Sequence, residues 1–105
     1  MSIGFFSMRF NIRPDMLYWA ILIIKTENGV SYVPVLKIAN YPVYIDIKRD
    51  NLEERRSAFG CEKEIVPAEM TEEENCYKFS AQNGAECVLM KDDLRDLFER
   101  KVLAN

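Results

Sequence analysis

Six glutamates crowd into one short stretch of this 105-residue chain: Glu62, Glu64, Glu69, Glu72, Glu73 and Glu74. Carboxylates massed in this way can meet a basic partner surface, and Glu69, Glu72, Glu73 and Glu74 are its candidate contact residues. The plainer reading is a solvated loop or helix start, since charge runs mostly serve solubility. A second set, Arg9, Arg13, Lys48 and Arg49 with Tyr41 and Tyr44, combines the residue types enriched at protein interfaces. Such a set suits an acidic partner or a phosphate, unless its members lie on different faces. The three cysteines, Cys61, Cys76 and Cys87, contain no CxxC spacing and are odd in number. They read as free, partly buried thiols in a reducing cytoplasm.

Other chemistries lack their parts. The chain has no histidine, which removes the commonest general base, the commonest transition-metal ligand and every His-containing triad. Its four glycines stand alone at 4, 29, 60 and 84, so neither a P-loop nor a dinucleotide fingerprint can be built. A calcium loop is missing as well. Carboxylate, Lys or Cys catalysis stays open, but no convergent set of such groups is visible.

Net charge is −3. Residues 1–49 hold six basic and three acidic side chains, 50–75 hold three basic and nine acidic, and 76–105 hold five of each. This dipolar pattern can steer a charged protein partner. It does not suit direct nucleic-acid binding, and a nucleic-acid mimic needs a larger negative charge. With 49% apolar and 30% charged residues, the chain reads as one globular domain, 1–105. The apolar run 17–24 is far below the roughly 20 residues that span a bilayer. Its flanks do not match a signal sequence, so no membrane association is expected.

The elements that must position these groups follow from periodicity. Residues 3–13 alternate from Met8 to Arg13, which predicts a strand. Residues 17–27 and 30–39 flank Asn28-Gly29, the signature of a type I′ hairpin. That pairing sets Trp19, Ile21 and Ile23 on one face with Tyr32, Leu36 and Ile38, and Tyr18, Leu22 and Ile24 on the other with Val33 and Val35. Both faces are apolar, so both need cover, or one takes up a partner. Pro34 demands an edge or a bulge. Residues 42–48 alternate as a further strand.

Asp50 and Glu53 resemble a capping box and predict a helix over 51–59 that stops at Gly60. For 61–75, Pro67 opens a short helix or the stretch is a solvated loop. Residues 76–81 and 85–90 flank Asn83-Gly84, a second hairpin of the same type. Its register puts Tyr77, Phe79, Ala81, Val88 and Met90 on the core face, with Cys76 opposite Lys91 and Cys87 opposite Ser80. Asp92 caps a last helix with the apolar stripe Leu94, Leu97, Phe98 and Val102.

These elements predict an α+β fold. It is a mainly antiparallel sheet of five to six strands, in the order β-β-β-β-α-β-β-α, with two short helices packed on it. The functional expectation is a cytoplasmic, non-catalytic interaction module without cofactor or metal. It binds and inhibits or regulates a larger protein, as inhibitors, immunity proteins and phage-encoded anti-defence proteins do. One alternative is a homodimeric structural or accessory subunit that uses a sheet edge or the apolar hairpin face. The other is a minimal enzyme without histidine.

Overall fold

In the computed structural model, residues 14–49, 51–54 and 60–93 are described. They form seven strands: β1 (Leu17–Thr26), β2 (Gly29–Ile38), β3 (Val43–Asp46), β4 (Asn51–Glu54), β5 (Cys61–Glu72), β6 (Cys76–Ala81) and β7 (Glu86–Met90). Two 3₁₀ turns, Pro14–Met16 and Lys91–Asp93, complete the described elements. All pairings are antiparallel, in the order β4-β3-β2-β1-β5-β6-β7.

This corrects the expected α+β class: the described residues hold a single antiparallel sheet and no α-helix. The expected helix over 51–59 begins instead as β4. Leu52 lies opposite Ile45 and packs against the core. The Glu53 side chain accepts a bond from the Tyr44 hydroxyl rather than closing a cap. Cross-strand burial thus overrides the capping signal. Residues 55–59 lie outside the described residues, as do the expected first strand (3–13) and the stripe of the last helix. At Asp92, where that helix was to start, the chain makes the 3₁₀ turn.

The acidic segment is the second correction. Residues 61–72 are neither helix nor loop but the longest strand of the sheet. Tertiary pairing decides this. Cys61 to Pro67 align with β1, and Ala68 to Glu72 align with β6. β5 therefore changes partners at Pro67, a residue with no N–H to give to a ladder.

That change of partner curls the sheet. β7 comes into contact with β2 across the concave side, although the two are far apart in strand order. The concave face holds the main core, with Ile21, Leu36, Ile38, Ile45 and Phe79 all at most 3% exposed. Trp19 from β1 meets Phe79 from β6 edge-on, with ring centroids 5.7 Å apart and planes at 85°. Each large apolar side chain buried here contributes roughly 1.5–3 kcal/mol. The convex face carries a smaller cluster of Ala20, Leu22, Val35 and Tyr44. The expected two-sided burial of the β1–β2 hairpin is thus present. Pro34 lies on the stretch of β2 beyond its pairing with β3, so among the described residues it has a strand neighbour on one side only.

The two hairpins depart from expectation in different ways. In the first, Thr26 pairs with Gly29, so the loop is Glu27-Asn28 rather than Asn28-Gly29. Asn28 does not take a positive φ; among the described non-glycine residues only Asn40 does. The Thr26 hydroxyl braces the loop instead, accepting from the Asn28 N–H at 3.2 Å. The pairing slides by two residues, an even step, so every side chain keeps its expected face.

In the second hairpin, the Ala81 N–H donates to the Ala85 carbonyl (2.9 Å) and the Gly84 N–H to the Ala81 carbonyl (3.1 Å). This is a three-residue loop, Gln82-Asn83-Gly84, with Gly84 at φ +91°. The pairing slides by one residue, so β7 presents its other face. Tyr77 now opposes Leu89 and Phe79 opposes Cys87. Leu89 and Ala85 enter the core, whereas Val88 (55% exposed) and Met90 (44%) leave it. The cysteine pairings shift likewise, with Cys76 opposite Met90.

The register has a measurable consequence. Phe79→Ala is expected to cost about 3–5 kcal/mol in urea unfolding, and Val88→Ala no more than about 0.5 kcal/mol. Comparable losses from the two variants would restore the two-residue loop and return Val88 to the core.

Candidate functional site

Beyond its pairing with β3, β2 has no strand on its outer side among the described residues, and β7 is the last strand of the sheet. The curl of the sheet brings these two free stretches side by side. Between them lies a cleft of about 320 Å³, lined by Tyr32 and Pro34 of β2, Val88 of β7, Asp93, and Lys48 and Arg49. Lys48 and Arg49 reach it from the turn at 47–49, where the Asp46 carboxylate accepts from the Arg49 N–H at 3.2 Å.

The cleft mixes apolar surface with loosely held charge. Tyr32 is 45% exposed. Lys48 Nζ stands 3.7 Å from Asp93 Oδ2 and so bridges the β3–β4 turn to the 3₁₀ turn that follows β7. Arg49 reaches Asp46 at 3.9 Å and Glu53 at 4.0 Å, with its side chain 72% exposed. Exposed pairs at such distances hold a side chain weakly, so both cations can turn to an incoming partner at little cost.

The predicted contact residues are dispersed. Lys48 and Arg49 stand together at this cleft, and Arg9 and Arg13 lie outside the described residues. Tyr41 is half-buried against the core, and its carbonyl accepts from Lys37 Nζ. Tyr44 is buried, 1% exposed, so a partner cannot reach it. The acidic set is divided too. Glu69 lies beside a separate groove at the β5 bend. Glu72 bonds Lys91 at 3.2 Å, and Lys91 also sits over the Tyr77 ring, 5.2 Å from its centroid. Glu73 accepts from the Cys76 thiol at 3.8 Å, and Glu74 stands exposed in the turn after β5.

The alternation of the sequence places Tyr32, Val88 and Met90 on apolar faces and not among the named contact residues, because an apolar residue in an alternating strand reads as core. The available signal was the Gln82-Asn83-Gly84 triplet, which also suits a three-residue loop and so reverses the faces of β7.

Two side chains have shifted acidities. Burial pushes the Tyr44 hydroxyl up to about 12, helped by the neighbouring Glu53 charge and its hydrogen bond. Burial alone pushes the Cys87 thiol up to about 11, which makes it a poor nucleophile at neutral pH. Among the described residues, no group of three or more Cys, Asp or Glu could hold a metal ion. No described helix is long and apolar enough to cross a membrane.

The fold holds both groups protonated, so their stabilisation is complete below the ordinary values of 10.0 for tyrosine and 9.0 for cysteine. It is lost as pH climbs through the raised ones. Stability in urea should therefore fall between pH 9 and 12, and Tyr44→Phe together with Cys87→Ala should flatten that fall. A profile identical in the double variant would remove these two groups as its cause. Cys87 should also resist a thiol reagent at pH 8 until the protein is unfolded.

No known protein family matches the chain, and neither does any curated protein or solved structure.

Proposed function

We propose that this chain is a non-catalytic protein-binding module that occupies a surface of a larger protein and so inhibits or regulates it. The contact surface is the β2–β7 cleft with the exposed edge of β7. The observation that carries the reading is the grouping of Tyr32, Val88 and Arg49, all exposed around one cleft beside a terminal strand. Tyrosine and arginine beside apolar surface is the composition of binding hot spots. Among the described residues β7 has no outer strand, and the backbone edge of such a strand can bond a partner's extended segment. The three free thiols suit a reducing cytoplasm as the compartment.

A second reading shares the same surface. Val88 and Met90, exposed on the last strand, also suit pairing of two copies edge to edge. The product is then a homodimeric accessory subunit.

The test is affinity capture from native lysate with the wild type and with Tyr32→Ala, Val88→Asp and Arg49→Glu. Hot-spot truncation costs about 2 kcal/mol or more, which is roughly 30-fold in Kd. A near-stoichiometric partner held by the wild type should be lost from all three variants. Retention by all three would remove the cleft as the contact. Light scattering of the purified protein separates the second reading. A dimer that Val88→Asp converts to monomer favours self-pairing, and a monomer at every concentration excludes it.

A further inference from the structure

A second groove lies away from the cleft. It measures about 630 Å³ and opens where β5 passes from β6 to β1 and β6 turns away into the Gln82-Asn83-Gly84 loop. Its origin is geometric, because two ladders that diverge from one strand leave a gap at the fork. Small side chains keep the gap open. Pro67 and the core-packed Val66, Ala68 and Ala81 supply its aliphatic lining. Polar groups line the rest, namely the Glu69 carboxylate, the Ser80 hydroxyl and the Gln82 and Asn83 amides.

These polar groups are uncommitted. The side chains of Glu69, Ser80 and Gln82 make no hydrogen bond or ion pair among the described residues. Asn83 spends its carbonyl oxygen on the Ala85 N–H at 3.0 Å, which leaves its amide nitrogen free. Among the described residues, Glu69 is the only charged side chain of the lining. The groove thus offers one negative charge, neighbouring neutral acceptors and an aliphatic floor.

From this we infer that the groove receives an arginine side chain from the bound protein. The inference rests on the reading of the chain as a protein-binding module. A planar guanidinium presents five N–H donors and can bond a carboxylate through two of them. Its remaining donors can reach the Ser80 hydroxyl and the Gln82 carbonyl. The methylenes of arginine lie along Pro67, which shares the face of Glu69, as long charged side chains do on apolar surface. Lysine fits less well, since its point-like ammonium cannot bridge acceptors that are spread apart. Charge complementarity is local to Glu69, since Glu62, Glu64 and Glu72 fall on the opposite face of β5.

The probe is a capped glycine-arginine-glycine peptide, titrated into ¹⁵N-labelled protein and followed by amide shifts. Shifts should centre on residues 66–69 and 80–83. Glu69→Gln should weaken binding at least ~10-fold, as loss of a charge-assisted bidentate contact does. The same peptide with citrulline, a neutral shape mimic, should lose as much, whereas Glu72→Gln should change little. Shifts centred on Glu72, Glu73 and Glu74, or equal binding by the citrulline peptide, would overturn the assignment. Binding of a free alkylguanidinium but not of the peptide would overturn the protein source of the group. Val88→Asp should leave the titration unchanged. Failure of the β2–β7 contact and failure of the groove therefore give separate results.

Discussion

The double pairing of β5 is the constraint from which the rest of the structure follows. A lone sheet with apolar residues on one face has to bury that face against a second layer. Among the described residues no helix supplies that layer, so the sheet supplies it to itself. β5 aligns its first half with β1 and its second with β6, and the turn between the halves swings β6 and β7 over β1 and β2. The Trp19–Phe79 contact is where the two halves meet. The β2–β7 cleft and the groove beside Glu69 are the places where the same curl does not close. One bend thus sets the core and both candidate surfaces.

This constraint was hidden in the sequence for a physical reason. β5 carries Glu62, Lys63 and Glu64 before Ile65, and Pro67 interrupts it, so no window of alternation marks a strand. What makes it a strand is the presence of β1 on one side and β6 on the other, a non-local fact. β4 is similar, being four residues long and held by Leu52 opposite Ile45. The strands that were legible are those with a dense local pattern, such as Val43, Ile45 and Ile47 against Tyr44 and Asp46. The faces of the first hairpin were legible for the same reason.

Charge told less than its grouping in the sequence promised. The glutamates of 62–74 alternate between the two faces of a strand and its following turn, and they take different partners. Lys91 binds Glu72, whereas Glu69 is left beside the groove. Tyr44 shows the converse case. Its neighbours Lys48 and Arg49 reach the surface, while the ring is drawn into the convex cluster and its hydroxyl turned to Glu53. Proximity in sequence fixes what a strand can present, but the pleat decides which half of it a partner meets.

The second hairpin carries this argument to its end. Asn-Gly occurs in both turns, and in neither does it form the two-residue loop that the pair suggests. An even slide in the first turn is harmless, because the pleat repeats every two residues. The odd slide in the second exchanges the faces of β7. Leu89 goes to the core and Val88 and Met90 go to water. Exposed apolar residues on a terminal strand carry an association hazard that natural sheets mostly remove with charge, proline or a cover. β7 carries Glu86 near its start but leaves Val88 and Met90 bare further along, beside Tyr32 and Arg49. A loop one residue shorter would bury both and erase the surface. The odd loop is therefore what converts an ordinary core strand into a strand that can be read from outside.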